Sequence, residues 1–175
     1  CRALRCQHDC AIFRSQPSKA APDFGGVGLM GVDLKLTYRL YQKLLLIAPE
    51  IGAIGDTVSD VADGLPLYCT VLEIGRDFRR LELGQRWALP SGQVVLDVVF
   101  EVNVFADWEL AEAVSYQYCS TTLDAYPVDG EPPKLSIHRR INRLLENWLD
   151  VLTIQGHRLN SKGTAIPLED CSPLA

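Results

Sequence analysis

The stretch VVLDVVFEVNVFADWELAEAVSYQY, residues 94–118, decides the fold of this chain. Its first half places apolar side chains at every second position, which is the spacing of one face of a β-strand. These residues are Leu96, Val98, Phe100, Val102 and Val104. Residues 106–109 are short enough to connect a hairpin, and residues 110–118 then supply the partner strand. We therefore predict an antiparallel pair with one face in an apolar core.

Two further strands are predicted upstream of this hairpin. Residues 67–74 are dense in β-branched and aromatic side chains, and residues 79–87 alternate leucines and a tryptophan with polar neighbours. Glycines interrupt residues 50–65, so at most one short strand is expected there, near residues 58–61. Residues 119–135 contain three prolines and a glycine and are predicted to be a long loop.

Amphipathic helices are predicted on both sides of the strand region. Apolar residues recur every three or four positions over residues 36–47, and Asp33 can cap the first turn. The same spacing continues over residues 137–152, with Ser136 as the predicted cap and Gly156 at the position of a left-handed C-cap. Each helix would bury one stripe of side chains.

This order of elements predicts an α+β fold. We expect an antiparallel meander of four to five strands, flanked by an N-terminal and a C-terminal helix packed on the sheet. Residues 32–156 would form this single domain. Residues 1–31 lack sustained periodicity and are predicted to be a flexible leader, and residues 157–175 to be a loose tail.

Composition narrows the classes of function. Hydrophobic residues make up 47% of the 175 residues, which is enough for a core, and no apolar run approaches the ~20 residues of a membrane span. The formal net charge of −5 argues against nucleic acid as the main partner, because nucleic-acid binding normally requires a basic surface. Cys69 and Cys119 lie in apolar or strand-like runs and are predicted to be small buried hydrophobes in a reducing compartment.

Short motifs in the hairpin and the last helix carry a family resemblance. They are Phe105, Asp107, Ala111 and Glu112 in the hairpin, then Tyr126-Pro127, Ile141-Asn142 and Trp148-Leu149. In this order they resemble the YqiB-like family of bacterial proteins, a domain of unknown function, over residues 32–149. The resemblance implies a cytoplasmic bacterial protein and implies no particular reaction.

The chain departs from the family pattern at two places. Ala106 stands where the family's hairpin has a histidine. Ser136-Ile137-His138 replaces an acidic–lysine pair at the start of the last helix. If the hairpin histidine is catalytic in relatives, this chain lacks that chemistry.

Basic residues in two segments form the candidate binding surface. The candidates for ligand or partner binding are Arg76, Arg79, Arg80, His138, Arg139, Arg143 and Asn142. Guanidinium groups bind phosphates and carboxylates, and the start of a helix favours anions. The alternative is a solvated charged face, partly neutralised by nearby acidic residues. Asn142, an amide on a mostly apolar helix, is predicted either to tether the loop of residues 126–135 or to line a pocket.

Acidic residues of the hairpin are the candidates for catalysis. Asp107 and Glu112 could ligate a hard cation or transfer protons, although a turn aspartate more often caps its own backbone. Cys6, His8 and Cys10 are the weaker candidates for a metal site, because their spacing is tighter than in known zinc sites and no second pair follows. No nucleotide-binding loop or catalytic signature is present, so no cofactor is expected.

Three hypotheses about function remain. The one we favour is a non-enzymatic binding or accessory protein for a protein or a small anionic ligand. The second is an enzyme of unknown chemistry that uses the hairpin carboxylates, with or without a metal. The third is a weak nucleic-acid binder that uses the arginines, for which steep salt dependence would be the signature.

Overall fold

The computed structural model describes residues 32–59, 61, 64–88, 94–126 and 134–160. In chain order, its elements are α1 (Leu34–Ile47), β1 (Thr57–Ser59), β2 (Leu67–Ile74), β3 (Arg79–Ala88), β4 (Val94–Phe105), β5 (Leu110–Tyr118), β6 (Thr121–Asp124) and α2 (Leu135–Gln155). A single 3-10 turn, Ala106–Trp108, joins β4 to β5. This order confirms the predicted α+β class. The predicted leader, with Cys6, His8 and Cys10, lies outside the described residues.

The strands form one antiparallel meander in the order β1-β2-β3-β4-β5-β6. The antiparallel meander is confirmed, but the predicted count of four to five strands is too low, because β6 lies in the segment predicted as a loop. Only two residues separate β6 from β5, and the first of them, Cys119, has a positive φ of 51°. Such turns usually carry glycine or asparagine, so the sequence gives no turn signal here.

Both helices pack on one face of this sheet, chiefly against β5, and against each other. The shared core contains fully buried residues from every layer, among them Leu40, Leu44, Leu81, Leu83, Phe100, Val102, Ile141 and Leu145. Arg39 pairs with Glu146 across the helices, and Lys43, one turn farther along α1, pairs with Asp150, one turn beyond Glu146. Because both members advance by one turn in the same direction, α1 and α2 run parallel.

The helix ends follow the predictions in two places and depart from them in one. The Asp33 carboxylate accepts from the backbone N–H of Leu36 at 3.2 Å, and Gly156 closes α2 with a φ of 85°. Ser136 does not cap α2, because the helix begins one residue earlier and its N-cap is Lys134, whose side chain makes no capping bond. The first-turn N–H groups of α2 therefore have no side-chain acceptor from their N-cap.

The packed part of the chain continues beyond α2. The backbone N–H of Leu159 donates to the carbonyl of Ile47 at 2.6 Å, and Leu159 is buried. The Thr57 hydroxyl donates to the carbonyl of Asn160 at 3.0 Å. Residues 157–160 are thus held against α1 and β1. Neither described helix combines the length and hydrophobicity that a membrane crossing requires.

Candidate functional site

A row of polar side chains crosses the sheet on the face opposite the core. Arg80 on β3, Asn103 on β4 and Glu112 on β5 lie directly opposite one another in the strand register. Nε of Arg80 donates to Oδ1 of Asn103 at 3.1 Å, and Nδ2 of Asn103 donates to Oε1 of Glu112 at 3.3 Å. Side-chain exposure falls along the row, from 36% at Arg80 to 9% at Glu112. The row therefore leads from the surface into the protein.

Glu112 collects two further partners at the buried end of this row. The Tyr126 hydroxyl donates to the Glu112 carboxylate at 3.2 Å from Oε2, and Nε2 of His138 lies 2.9 Å from the same oxygen. The Tyr126 ring also meets the His138 ring edge-on. Burial, and then the Glu112 charge, raises the pKa of Tyr126, so that its hydroxyl stays protonated and donates. We call Arg80, Asn103, Glu112, Tyr126 and His138 the Glu112 cluster.

Asn142 fixes the position of α2 beside this cluster. Its Oδ1 accepts from the backbone N–H of Ala113 at 2.8 Å, and its Nδ2 donates to the Ala113 carbonyl at 3.0 Å and to the His138 carbonyl at 2.8 Å. The Asn142 amide thus replaces the backbone hydrogen bonds that a neighbouring strand would make with Ala113. Ala113 needs such a replacement because the pairing of β5 with β6 ends at Ser115. Among the described residues, Asn142 thus tethers β5 and covers an otherwise unpaired strand edge, while most of the loop of residues 126–135 lies outside the described residues.

The exposed side of α2 carries three arginines, Arg139, Arg140 and Arg143, which we call the α2 arginine surface. All three are exposed, and none has a hydrogen bond or ion pair from its side chain within the part of the chain that the structure describes. The acidic residues farther along α2 are engaged elsewhere. Glu146 binds Arg39 and Lys43, and Asp150 binds Lys43, all across the interface with α1. In the β2–β3 hairpin, by contrast, Glu73 lies 3.7 Å from Arg80 and Glu82 pairs with Arg86, as expected for a partly neutralised face.

The remaining basic candidates lie in or next to the β2–β3 hairpin. Arg79 donates to the carbonyl of Ile54 at 3.0 Å, which ties the hairpin to the loop before β1. Arg76 is exposed in the turn. Of the two basic segments predicted from the sequence, Arg80 and His138 are the members that the structure connects, and it does so through Asn103 and Glu112.

The two carboxylates named as candidates for catalysis have different surroundings. The hydrogen-bond partners of Glu112 are Asn103, Tyr126 and His138, and Asp107 is not among them. Asp107 lies in the 3-10 turn, where its charge helps burial raise the pKa of Tyr41. Within the described residues, no group of three or more acidic, histidine or cysteine side chains is arranged to hold a metal ion. Glu112 is therefore a candidate that the structure places in a hydrogen-bonded cluster.

Sequence reasoning missed the roles of Asn103 and Tyr126. Asn103 is not among the residues predicted from the sequence, although it is only 9% exposed, and Tyr126 is marked only by the family resemblance. The signal for Asn103 was an amide between apolar neighbours in a central strand, which requires a polar partner. Comparisons with known proteins add no residue, since no family model, no curated protein and no solved structure matches the chain.

Proposed function

We propose that this chain is a binding protein whose α2 arginine surface receives a small anionic ligand or an acidic segment of a partner protein. The observation that carries the proposal is the absence of carboxylate partners for Arg139, Arg140 and Arg143 within the described residues. Arg139 and Arg143 are one turn apart, and so are Arg140 and Arg143. Like charges at these spacings destabilise a helix, and a bound anion would relieve the repulsion.

The start of α2 adds to this positive surface. Lys134 is the N-cap, and because its side chain makes no capping bond, the first-turn N–H groups remain for water or a ligand. The helix dipole places partial positive charge at the same end. Five other described arginines are engaged by oxygen acceptors of the protein, which sets the α2 arginine surface apart. These are Arg39, Arg79, Arg80, Arg86 and Arg158.

The test is binding of a fluorescent, doubly phosphorylated peptide, measured by anisotropy. Arg139→Ala/Arg143→Ala should weaken binding by about tenfold or more, because each charge-assisted hydrogen bond contributes about 1 kcal/mol or more at an exposed site. Lys35→Ala/Arg158→Ala is the matched control, since it removes two exposed cations that are not among the candidate binding residues. Equal affinities of the two double variants would refute the proposal. A labelled single-stranded DNA tests the nucleic-acid alternative, which requires tighter binding than the peptide and a steep salt dependence.

A second candidate function, an enzyme, is favoured by one specific contact. His138 lies 2.9 Å from Glu112 in a buried position, and its other ring nitrogen has no partner within the described residues. Carboxylate–histidine pairs of this kind occur where an imidazole accepts protons. This candidate differs from the sequence hypothesis, because it uses Glu112 with His138 rather than with Asp107.

We also propose that the chain belongs to the YqiB-like family and is cytoplasmic. The support comes from the residues that carry the resemblance. Ile141 and Leu149 are fully buried in the core, and Asn142 binds the backbone next to Glu112. These residues hold α2 on β5, which is a physical reason for them to occur together. Localisation of a fluorescent fusion in bacterial cells would test the second part, and membrane association would refute it.

A further inference from the structure

The buried pair of Glu112 and His138 leaves one ring nitrogen unused. Nε2 of His138 contacts the carboxylate, whereas Nδ1 has no hydrogen-bond partner among the residues that the structure describes. Nδ1 is not among the unpartnered polar atoms that are completely buried, and the His138 side chain is 5% exposed. A water-sized approach to Nδ1 is therefore compatible with the structure.

The hydrogen-bond row indicates that Nε2 of His138 carries a proton. Arg80 can only donate, so the Asn103 carbonyl oxygen faces Arg80 and its amide nitrogen faces Glu112. Asn103 and Tyr126 both donate to Glu112, as expected for an ionised carboxylate. A carboxylate beside Nε2 requires Nε2–H, and a neutral imidazole protonated there has its lone pair on Nδ1.

We infer that Glu112 and His138 form a proton-acceptor dyad that hydrolyses an anionic ester. Nδ1 of His138 takes a proton from a water whose oxygen forms a bond to the phosphorus or acyl carbon. The bond from that atom to the alcohol oxygen breaks, and the alcohol oxygen receives the proton from His138. Glu112 is a positioning residue that holds the imidazole and stabilises its cationic form.

The substrate class rests on the proposed function, whereas the dyad does not. His138 lies in the first turn of α2, the end of the helix whose dipole favours an anionic ester, and the exposed Arg139 and Arg140 add positive charge to that end. A purely structural tie between β5 and α2 would use the same contacts of Glu112 but would not require a nucleophilic Nδ1. The reactivity of Nδ1 therefore separates the two roles.

The first experiment measures that reactivity in the folded full-length protein. Diethyl pyrocarbonate acylates unprotonated imidazole nitrogens, and mass spectrometry of peptides identifies the modified histidine. We expect His138 to be modified, and Glu112→Gln to slow this by about tenfold or more, because the carboxylate no longer polarises the ring. Tyr126→Phe, which removes one donor to Glu112 and retains the ring, is the second variant if Glu112→Gln fails to fold. An unmodified His138, or equal rates in wild type and folded variants, would overturn the inference.

The second experiment measures turnover of p-nitrophenyl phosphate, bis(p-nitrophenyl) phosphate and the neutral p-nitrophenyl acetate. His138→Gln should lower kcat by about 100-fold with little change in KM, and Arg139→Ala/Arg143→Ala should raise KM for the phosphate esters. Lys35→Ala/Arg158→Ala serves as the control. Binding of phosphate esters without hydrolysis of any ester would refute the dyad and leave the anion site standing. Hydrolysis of the phosphate esters with an equal KM in wild type and Arg139→Ala/Arg143→Ala would refute the anion site alone.

Discussion

Replacement of Asn142 by alanine is the sharpest test of how α2 is held on the sheet. Asn142 is fully buried, and its amide satisfies both the N–H and the carbonyl of Ala113. The change leaves these two backbone groups without their partner, and each unsatisfied buried group costs about 1–3 kcal/mol. The His138 carbonyl keeps its bond within the helix, so it adds little. We therefore expect Asn142→Ala to lower the free energy of unfolding by about 2–6 kcal/mol.

The assay is urea unfolding followed by far-UV circular dichroism, with amide exchange at Ala113 as a local readout. Asn147→Ala is the matched control, because Asn147 is exposed on the same helix and should change the free energy of unfolding by about 0.5 kcal/mol or less. Exchange at Ala113 should accelerate in Asn142→Ala more than at buried amides of β3. A loss below about 1 kcal/mol for Asn142→Ala would show that the amide does not hold β5 and α2 together.

Three further outcomes are expected. Trp148→Ala should lower the free energy of unfolding in urea by about 2–3 kcal/mol, because Trp148 is half-buried and its ring centroid lies 5.2 Å from that of Phe100. This is less than the loss expected for a fully buried tryptophan. A loss below about 1 kcal/mol would contradict this packing. Gly156→Ala should lower the free energy of unfolding by about 1 kcal/mol in the same assay, because a φ of 85° is strained for alanine. An unchanged free energy of unfolding would contradict the left-handed C-cap at Gly156. Burial raises the pKa of Cys69 from 9.0 to about 12, so the folded protein keeps the thiol neutral at a pH where the unfolded chain ionises it. The free energy of unfolding should therefore be unaffected by this group below pH 9. It should fall by about 1.4 kcal/mol per pH unit as the pH rises from 9 to 12. Unfolding of wild type and Cys69→Ala at pH 8 and 10 measures this loss, and equal pH dependence of the two proteins would contradict it.

Local patterns identified most elements but not their ends. The period of two in β4 and the period of three to four in α2 reflect one buried face, and both were confirmed. Ser136 was a reasonable cap by residue type, yet α2 begins before it. β6 was missed because its four residues are largely exposed and show no alternation. Burial produces the patterns that sequence reasoning detects, so short exposed elements give no such pattern.

In the candidate site, too, the sequence identified individual residues but not the contacts between them. Glu112, His138 and Asn142 were each identified from the sequence, but for separate roles. The Glu112–His138 contact joins positions 26 residues apart, and it depends on where α2 crosses β5. Likewise, the parallel arrangement of the helices brings Glu146 to Arg39, 107 residues earlier in the chain. Neither contact follows from residue spacing.

The sequence by itself determined the α+β class, the antiparallel hairpin and the two amphipathic helices, because each depends on the periodicity of residues close together in the chain. Tertiary structure alone decided that Asn142 binds β5, that Glu112 meets His138, and that the α2 arginines have no acidic partner within the described residues. These outcomes depend on strand register and helix direction, which follow from packing of the whole core rather than from any local pattern.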